Sequence, residues 1–227
     1  MAIVDEVAAL VAAYVDRMTD SLVGTMTGHR SKSINEVARN YDTQLSRFAL
    51  QVLHGMMDAV DFRRAHKVLL HEMARAMGTD AWLEGGGNAD DFEGDDLNVM
   101  DEWERDQDSY VNDFAAWLAS PGENGKRNSP EKRAALDGRI EAWVSSLINL
   151  GDQMKARAKG DPFLTFQGDD GLDSCEECQE YQGQRHKLSW WEKRGLTKRN
   201  GNDAFGCGRW DTCNHHFYYD NGEMAIE

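Results

Sequence analysis

Apolar residues recur at intervals of three and four along the chain, the spacing that places side chains on one face of an α-helix. The first such stripe covers residues 3–26, and Gly28 is predicted to end that helix. Ser33 is a typical N-cap, and the stripe that follows it continues to Val60. The pattern therefore predicts two helices before residue 61.

Three further helices follow from the same spacing. One covers residues 62–77 and is expected to stop at Gly78, and the next includes residues 97–117. The last begins at the sequence SPE (129–131), which supplies a capping hydroxyl, a proline at the first helical position and an acid in the first turn. Long helices must bury their apolar stripes against one another, so a helical body is predicted.

The pattern changes after the sequence GDP at 160–162. Short aromatic and polar runs then alternate with Gly, Asn and Asp, and the helical period is mostly lost. We predict a mainly α protein with a long-helix body over residues 1–160. A small irregular α+β domain that binds zinc is expected over residues 161–227.

All four cysteines lie in the predicted small domain, as the pair Cys175 and Cys178 and the later pair Cys207 and Cys213. A domain of this size has little interior and is usually cross-linked by disulfides or metal. The CxxC spacing of the first pair suits tetrahedral Zn²⁺. The preferred ligand set is these four thiolates, and the alternative has His215 in place of Cys207.

Two disulfides or free thiols are the other possibilities for the cysteines. The apolar N-terminus has no leading basic cluster, so it is interpreted as an amphipathic helix and not as a secretory signal. The chain is then expected to stay in a reducing compartment, which favours zinc over disulfides. A closed site with four protein ligands is structural and leaves no open position for catalysis.

Residues 139–217 contain several features in a distinctive order. A long helix with a tryptophan and a late glycine (RIEAWVSSLINLGDQMKARAKGD) precedes an aromatic strand, FLTF. The acidic cysteine pair DDGLDSCEEC, Gly183, HKLSWWEKRGL and the cluster CGRWDTCNHHF follow. This order resembles the C-terminal part of phage minor head proteins of the head-morphogenesis, or Mu F-like, family. His215 stands where a final cysteine is common in that family, so the fourth zinc ligand stays open.

The resemblance implies a structural protein of a tailed phage, carried in the virion at the head or neck and made in the host bacterial cytoplasm. Its implied partners are the portal or other capsid proteins in an oligomeric assembly, and its implied role is head assembly or DNA passage at the portal vertex. No enzymatic activity, small-molecule substrate or membrane partner is expected. The alternative is a stand-alone zinc-dependent nucleic-acid-binding protein.

Charge is unevenly distributed in a chain whose net charge is −15. Such a charge opposes general nucleic-acid binding, but residues 185–199 contain six basic residues and one acid. This stretch could touch packaged DNA with Trp190 and Trp191 as stacking platforms, or it could be a solvated loop whose tryptophans pack beneath the zinc site. The residues predicted to contact DNA are Arg185, Lys187, Trp190, Lys193, Arg194, Lys198 and Arg199.

Other candidate motifs favour no site. An HNH nuclease needs its histidines and asparagine spread over about 30 residues, whereas NHH at 214–216 is consecutive. His66 and His71 are five apart, which is not the spacing of two ligands on one helix face, so both are expected to be ordinary packing or surface residues. The acidic loop 90–96 lacks the alternating order of a calcium loop.

Overall fold

A computed structural model describes most of the chain after residue 32. The described ranges are 33–92, 94–122, 125–168, 176–197 and 215–226. Residues 32–227 belong to one compact unit. The helix predicted over residues 3–26 lies outside the described residues.

Four long helices form the body: α1 (Ile34–Leu53), α2 (Ala59–Glu84), α3 (Gly94–Ala119) and α4 (Pro130–Arg157). The predicted caps are confirmed, since the Ser33 hydroxyl accepts a hydrogen bond from the Glu36 amide at 3.3 Å and Ser129 does the same for Lys132 at 3.4 Å. Each cap satisfies one of the amides that a helix start leaves without an intrahelical partner.

The predicted continuous helix from Ser33 to Val60 is wrong. The first helix ends at Leu53, the chain turns through Gly55 at a φ of 72°, and Asp58 caps the next helix. The Asp58 carboxylate accepts from the amides of Val60 and Asp61, both at 2.8 Å. The spacing of apolar residues gave a wrong prediction because it includes Val60, which is 51% exposed and belongs to no core face.

The predicted stop at Gly78 is also wrong, because α2 continues to Glu84. A Cβ atom at position 78 would lie 2.1 Å from the Met100 sulfur, and Met100 is fully buried in α3. Glycine at this position therefore allows α2 and α3 to approach closely and does not end the helix.

The body has a continuous apolar core to which all four helices contribute. Its largest fully buried side chains include Tyr41, Phe62, Leu45, Met77, Met100, Leu118, Leu147 and Leu150. Outside this core, α2 and α3 are linked by ion pairs, among them Lys67 with Asp108 and Arg75 with Glu104. Part of the acidic surface of α3 is thus matched by basic residues of α2.

The C-terminal part contains a small antiparallel sheet with two short helices. Its elements are β1 (Phe163–Gly168), α5 (Glu176–Tyr181), β2 (Arg185–Lys187), α6 (Leu188–Glu192), β3 (His215–Tyr219) and β4 (Met224–Ile226), and the strand order is β2-β1-β3-β4. We call residues 161–227 the C-terminal module. The coarse fold class is confirmed: the chain is mainly helical with a small sheet region at its C-terminus.

The module has its own apolar cluster, built around Phe166, Trp191 and Phe217. Gly160, at a φ of 86°, lies between the end of α4 and the first strand.

None of the described helices combines the length and apolar character needed to cross a membrane.

Candidate metal centre and basic groove

The structure describes part of the predicted zinc site. Cys178 lies in α5 and is buried. Cys175, Cys207 and Cys213 lie outside the described residues, as does the side chain of His215, which begins β3. Within the described part of the chain, no three or more His, Cys, Asp or Glu side chains are grouped to hold a metal ion. The complete ligand set therefore stays a prediction.

Two described residues that flank the cysteine pairs in sequence lie at one corner of the sheet. Gly168, the last residue of β1, lies opposite His215, the first residue of β3. The Gly168 amide also donates to the Gln182 side chain at 2.6 Å, immediately after α5. Gly168 precedes Cys175 by seven residues and His215 follows Cys213 by two, so described residues that flank the two cysteine pairs in sequence lie at this corner.

Cys178 packs in the apolar cluster of the module, together with Leu188 and Trp191. The end of α5 is fixed to β1 because the Gly183 amide donates to the Phe166 carbonyl at 2.9 Å. Gly183 has a φ of 73°, a conformation that favours glycine. Reactive cysteines are usually exposed to solvent, whereas Cys178 is buried on a short helix whose end is fixed. Its thiol is therefore better suited to act as a structural metal ligand than as a reactive group.

The two tryptophans of the basic stretch are both engaged within the module. Trp191 is fully buried, and its indole N–H donates to the carbonyls of Leu164 and His186, both at 3.2 Å. Trp190 stacks with the His186 ring at 3.7 Å and 12°, and the Arg194 guanidinium lies 3.6 Å from its ring centroid. Two planar groups this close cannot share one face, so both faces of Trp190 are covered.

Two of the predicted DNA-contacting cations already have carboxylate partners. Arg185 donates to both oxygens of Asp220, at 2.7 and 2.5 Å, and this contact lowers the pKa of Asp220. Lys187 Nζ lies 3.4 Å from an Asp161 oxygen. Lys193 and Arg194 are exposed to solvent. The remaining pair, Lys198 and Arg199, lies outside the described residues.

The basic stretch and the start of β1 enclose a groove of about 800 Å³ that is open to solvent. We call it the basic groove, and its lining residues are Phe163, His186, Lys187, Ser189, Trp190, Lys193 and Arg194. Phe163 was not predicted to belong to any site. The sequence offers only a weak signal for it, an aromatic residue directly after Pro162 at the start of FLTF.

Sequence reasoning also missed the polar junction between α4 and the module. Arg157 contacts Asp96 of α3 and Glu192 of α6, and Gln153 donates from Nε2 to the Thr197 carbonyl at 2.6 Å. Burial would lower the pKa of the Arg157 guanidinium, but the two carboxylates reverse this effect and raise it. The junction attaches the module to the body through paired charges.

Comparison with protein-family models, with curated proteins and with solved structures finds no match for this chain.

Proposed function

We propose that this chain is a structural minor head protein of a tailed phage, a helical protein whose C-terminal module is cross-linked by zinc. In this proposal it binds portal or other capsid proteins near the portal vertex and assists head assembly or DNA passage. The observation that carries the proposal is the ordered series of features over residues 139–217.

Several features of that series have defined structural positions in the chain. Trp143 is buried in the body core on α4, and FLTF forms most of β1. Gly183 makes the turn before β2, and Trp191 fills the core of the module. If this series of features determines the fold, its members should lie in the core, in strands and in turns, as these do. Their positions therefore support the proposal.

Zinc is proposed as the structural cofactor of the module, held by Cys175, Cys178, Cys207 and Cys213 or by a set in which His215 replaces Cys207. The pairing of Gly168 with His215, which flank the two cysteine pairs in sequence, supports this ligand choice. A bound ion would supply the cross-link that a small core lacks, without catalysis.

Elemental analysis of the purified chain tests the cofactor. One zinc per chain is expected, with loss of zinc in Cys178→Ser and retention in a surface control, His71→Gln. Comparison of Cys207→Ser with His215→Ala identifies the fourth ligand. Thiol titration after denaturation in chelator, without reductant, should find every cysteine reduced; disulfides and an absence of zinc would overturn this part of the proposal.

Particle association tests the function. The full chain is co-expressed with a portal protein from the same genome, and complexes are separated by size exclusion, with a DNA mobility assay on the same preparation. Co-elution with portal is expected. Sequence-specific DNA binding with no capsid association would overturn the structural role and favour the stand-alone zinc-dependent nucleic-acid-binding protein.

A further inference from the structure

We propose that the basic groove binds an acidic polypeptide segment that carries an apolar side chain among its carboxylates. The argument uses the charge of the groove, its exposed aromatic ring and the engagement of its tryptophan. This inference goes beyond the proposed function, since binding of such a segment does not depend on the chain being part of a phage particle.

The groove is a positive site on a negative protein. Lys187, Lys193 and Arg194 line it, and no carboxylate is among the described residues that line it. The Asp161 carboxylate contacts two of the lining residues: it accepts from the amide and hydroxyl of Ser189, at 2.8 and 2.9 Å, and lies 3.4 Å from Lys187 Nζ. Lys193 and Arg194 therefore supply most of the positive charge of the groove. On a chain with a net charge of −15, these cations attract anionic groups locally while the rest of the surface repels them.

An apolar contact is available beside these cations. Phe163 is 42% exposed at the rim of the groove, and the Arg185 guanidinium lies 4.0 Å from its ring centroid. The guanidinium is in turn held by Asp220, which fixes the orientation of this pair. A partner side chain placed against Phe163 would bury apolar surface, which adds affinity and selects against ligands with charge alone.

The same geometry disfavours a nucleic acid as the ligand. Single-stranded nucleic acids gain affinity when bases stack on exposed aromatic faces. Here His186 and Arg194 cover both faces of Trp190, and Trp191 is fully buried. The exposed ring of Phe163 could still stack with a base, but a long polyanion would meet the repulsion of the whole chain, whose net charge is −15.

Fluorescence anisotropy with the full-length chain tests this proposal. The probes are a labelled glutamate peptide with one central phenylalanine, the same peptide with serine at the centre, and a single-stranded thymidine oligonucleotide. The phenylalanine peptide is expected to bind at low salt, more tightly than the serine peptide, and to weaken as salt screens the charges.

Two variants and one control locate the binding. Lys193→Glu is expected to weaken binding of the phenylalanine peptide by about five-fold or more, because an attraction becomes a repulsion. Phe163→Ala should remove the difference between the two peptides. Lys126→Glu makes the same charge change at another exposed position, between α3 and α4, and should leave binding unchanged.

The outcomes that would overturn the proposal are distinct from those that would overturn the particle role. Tighter binding of the oligonucleotide would identify the groove as a nucleic-acid site instead. Equal binding of both peptides, no peptide binding, or equal weakening by Lys126→Glu would each show that the groove is not a specific peptide site. None of these results depends on whether the chain binds portal protein.

Discussion

Arg157 Nε donates to Asp96 Oδ1 at 2.7 Å, which joins the last turn of α4 to the first turn of α3. The same guanidinium donates from Nη1 to Glu192 Oε2 at 2.8 Å, so α6 of the C-terminal module is held at the same point. All three side chains are at most 20% exposed. Burial raises the pKa of Glu192, and the Arg157 charge opposes that rise. One cation therefore neutralises two partly buried acids from different parts of the chain.

Replacing this cation should destabilise the protein more than an ordinary surface change. In Arg157→Met, Asp96 and Glu192 keep their burial but lose the guanidinium that contacts both, at a cost of roughly 2–3 kcal/mol in the free energy of unfolding. Urea unfolding followed by tryptophan fluorescence measures this loss.

Two further variants separate lost pairing from lost packing. Arg133→Met removes a cation from an exposed position on the same helix and should change stability by less than about 0.5 kcal/mol. Adding Asp96→Asn and Glu192→Gln to Arg157→Met should recover much of the stability, because no buried charge remains unpaired. A wild-type midpoint for Arg157→Met would show that the junction contributes little.

Two helical glycines should respond to alanine in opposite directions. At Gly78 the new Cβ would lie 2.1 Å from the Met100 sulfur, so Gly78→Ala should lower stability by about 1–3 kcal/mol. At Gly138, on an exposed part of α4, a Cβ meets nothing within 4 Å, so Gly138→Ala should raise stability by about 0.5–1 kcal/mol. Thermal unfolding of both variants measures the two shifts. Stabilisation by Gly78→Ala would show that the helices can separate without cost.

These glycines also show what the sequence could predict about the fold. Ser33 and Ser129 were predicted as caps because capping depends on the residue itself and its next few neighbours. The sequence predicts a helix end at Gly78 because it contains no sign that Met100 packs against this position. Local chemistry was therefore predictable, and the approach of distant helices was not.

The candidate site divides in the same way. The run of cations from Arg185 onward and the cysteine spacing are visible as short patterns. Phe163 reaches the groove only because β1 pairs with β2, where it lies opposite Lys187. The covered faces of Trp190 likewise depend on how α6 folds back on His186. Which cations remain available to a ligand could not be predicted before these pairings were known.

Lys132 should stabilise the end of α3. Its side chain is buried, and Nζ donates to the carbonyls of Trp117, Leu118 and Ser120, groups that a helix end leaves without amide partners. Lys132→Met keeps the aliphatic part and removes these bonds, so a loss of about 1–2 kcal/mol is expected. Thermal unfolding measures it, and Lys126→Met, at an exposed position, is the matched control. Equal stability of the two variants would contradict a capping role for Lys132.

His66 should make the stability of the body depend on pH. The ring is fully buried, its Nε2 lies 3.0 Å from the Tyr41 hydroxyl, and Nδ1 has no hydrogen-bond partner among the described residues. The rings of Phe62 and Trp143 pack against it, at centroid distances of 5.4 and 4.6 Å. This burial lowers the pKa of His66 from its ordinary 6.5 to about 3.

The sign of the effect follows from proton binding. Between pH 6.5 and about 3, the unfolded chain binds a proton at His66 that the folded chain does not, so acid favours unfolding. The stability contributed by the neutral ring is present above pH 6.5 and falls by about 2 kcal/mol between pH 7 and pH 5. His66→Gln retains a polar partner for Tyr41 but cannot titrate, so its stability should fall less over this range by about that amount.

Urea unfolding at several pH values between 7 and 5 measures this difference. The matched control is His71→Gln, which removes an imidazole from the helix surface, where it contacts Glu104 at 2.8 Å. Only the difference in pH dependence is compared, because the glutamine at position 66 can lower stability equally at every pH. If His66→Gln keeps the wild-type pH dependence, the buried ring is protonated without cost and the core around it must admit a charge.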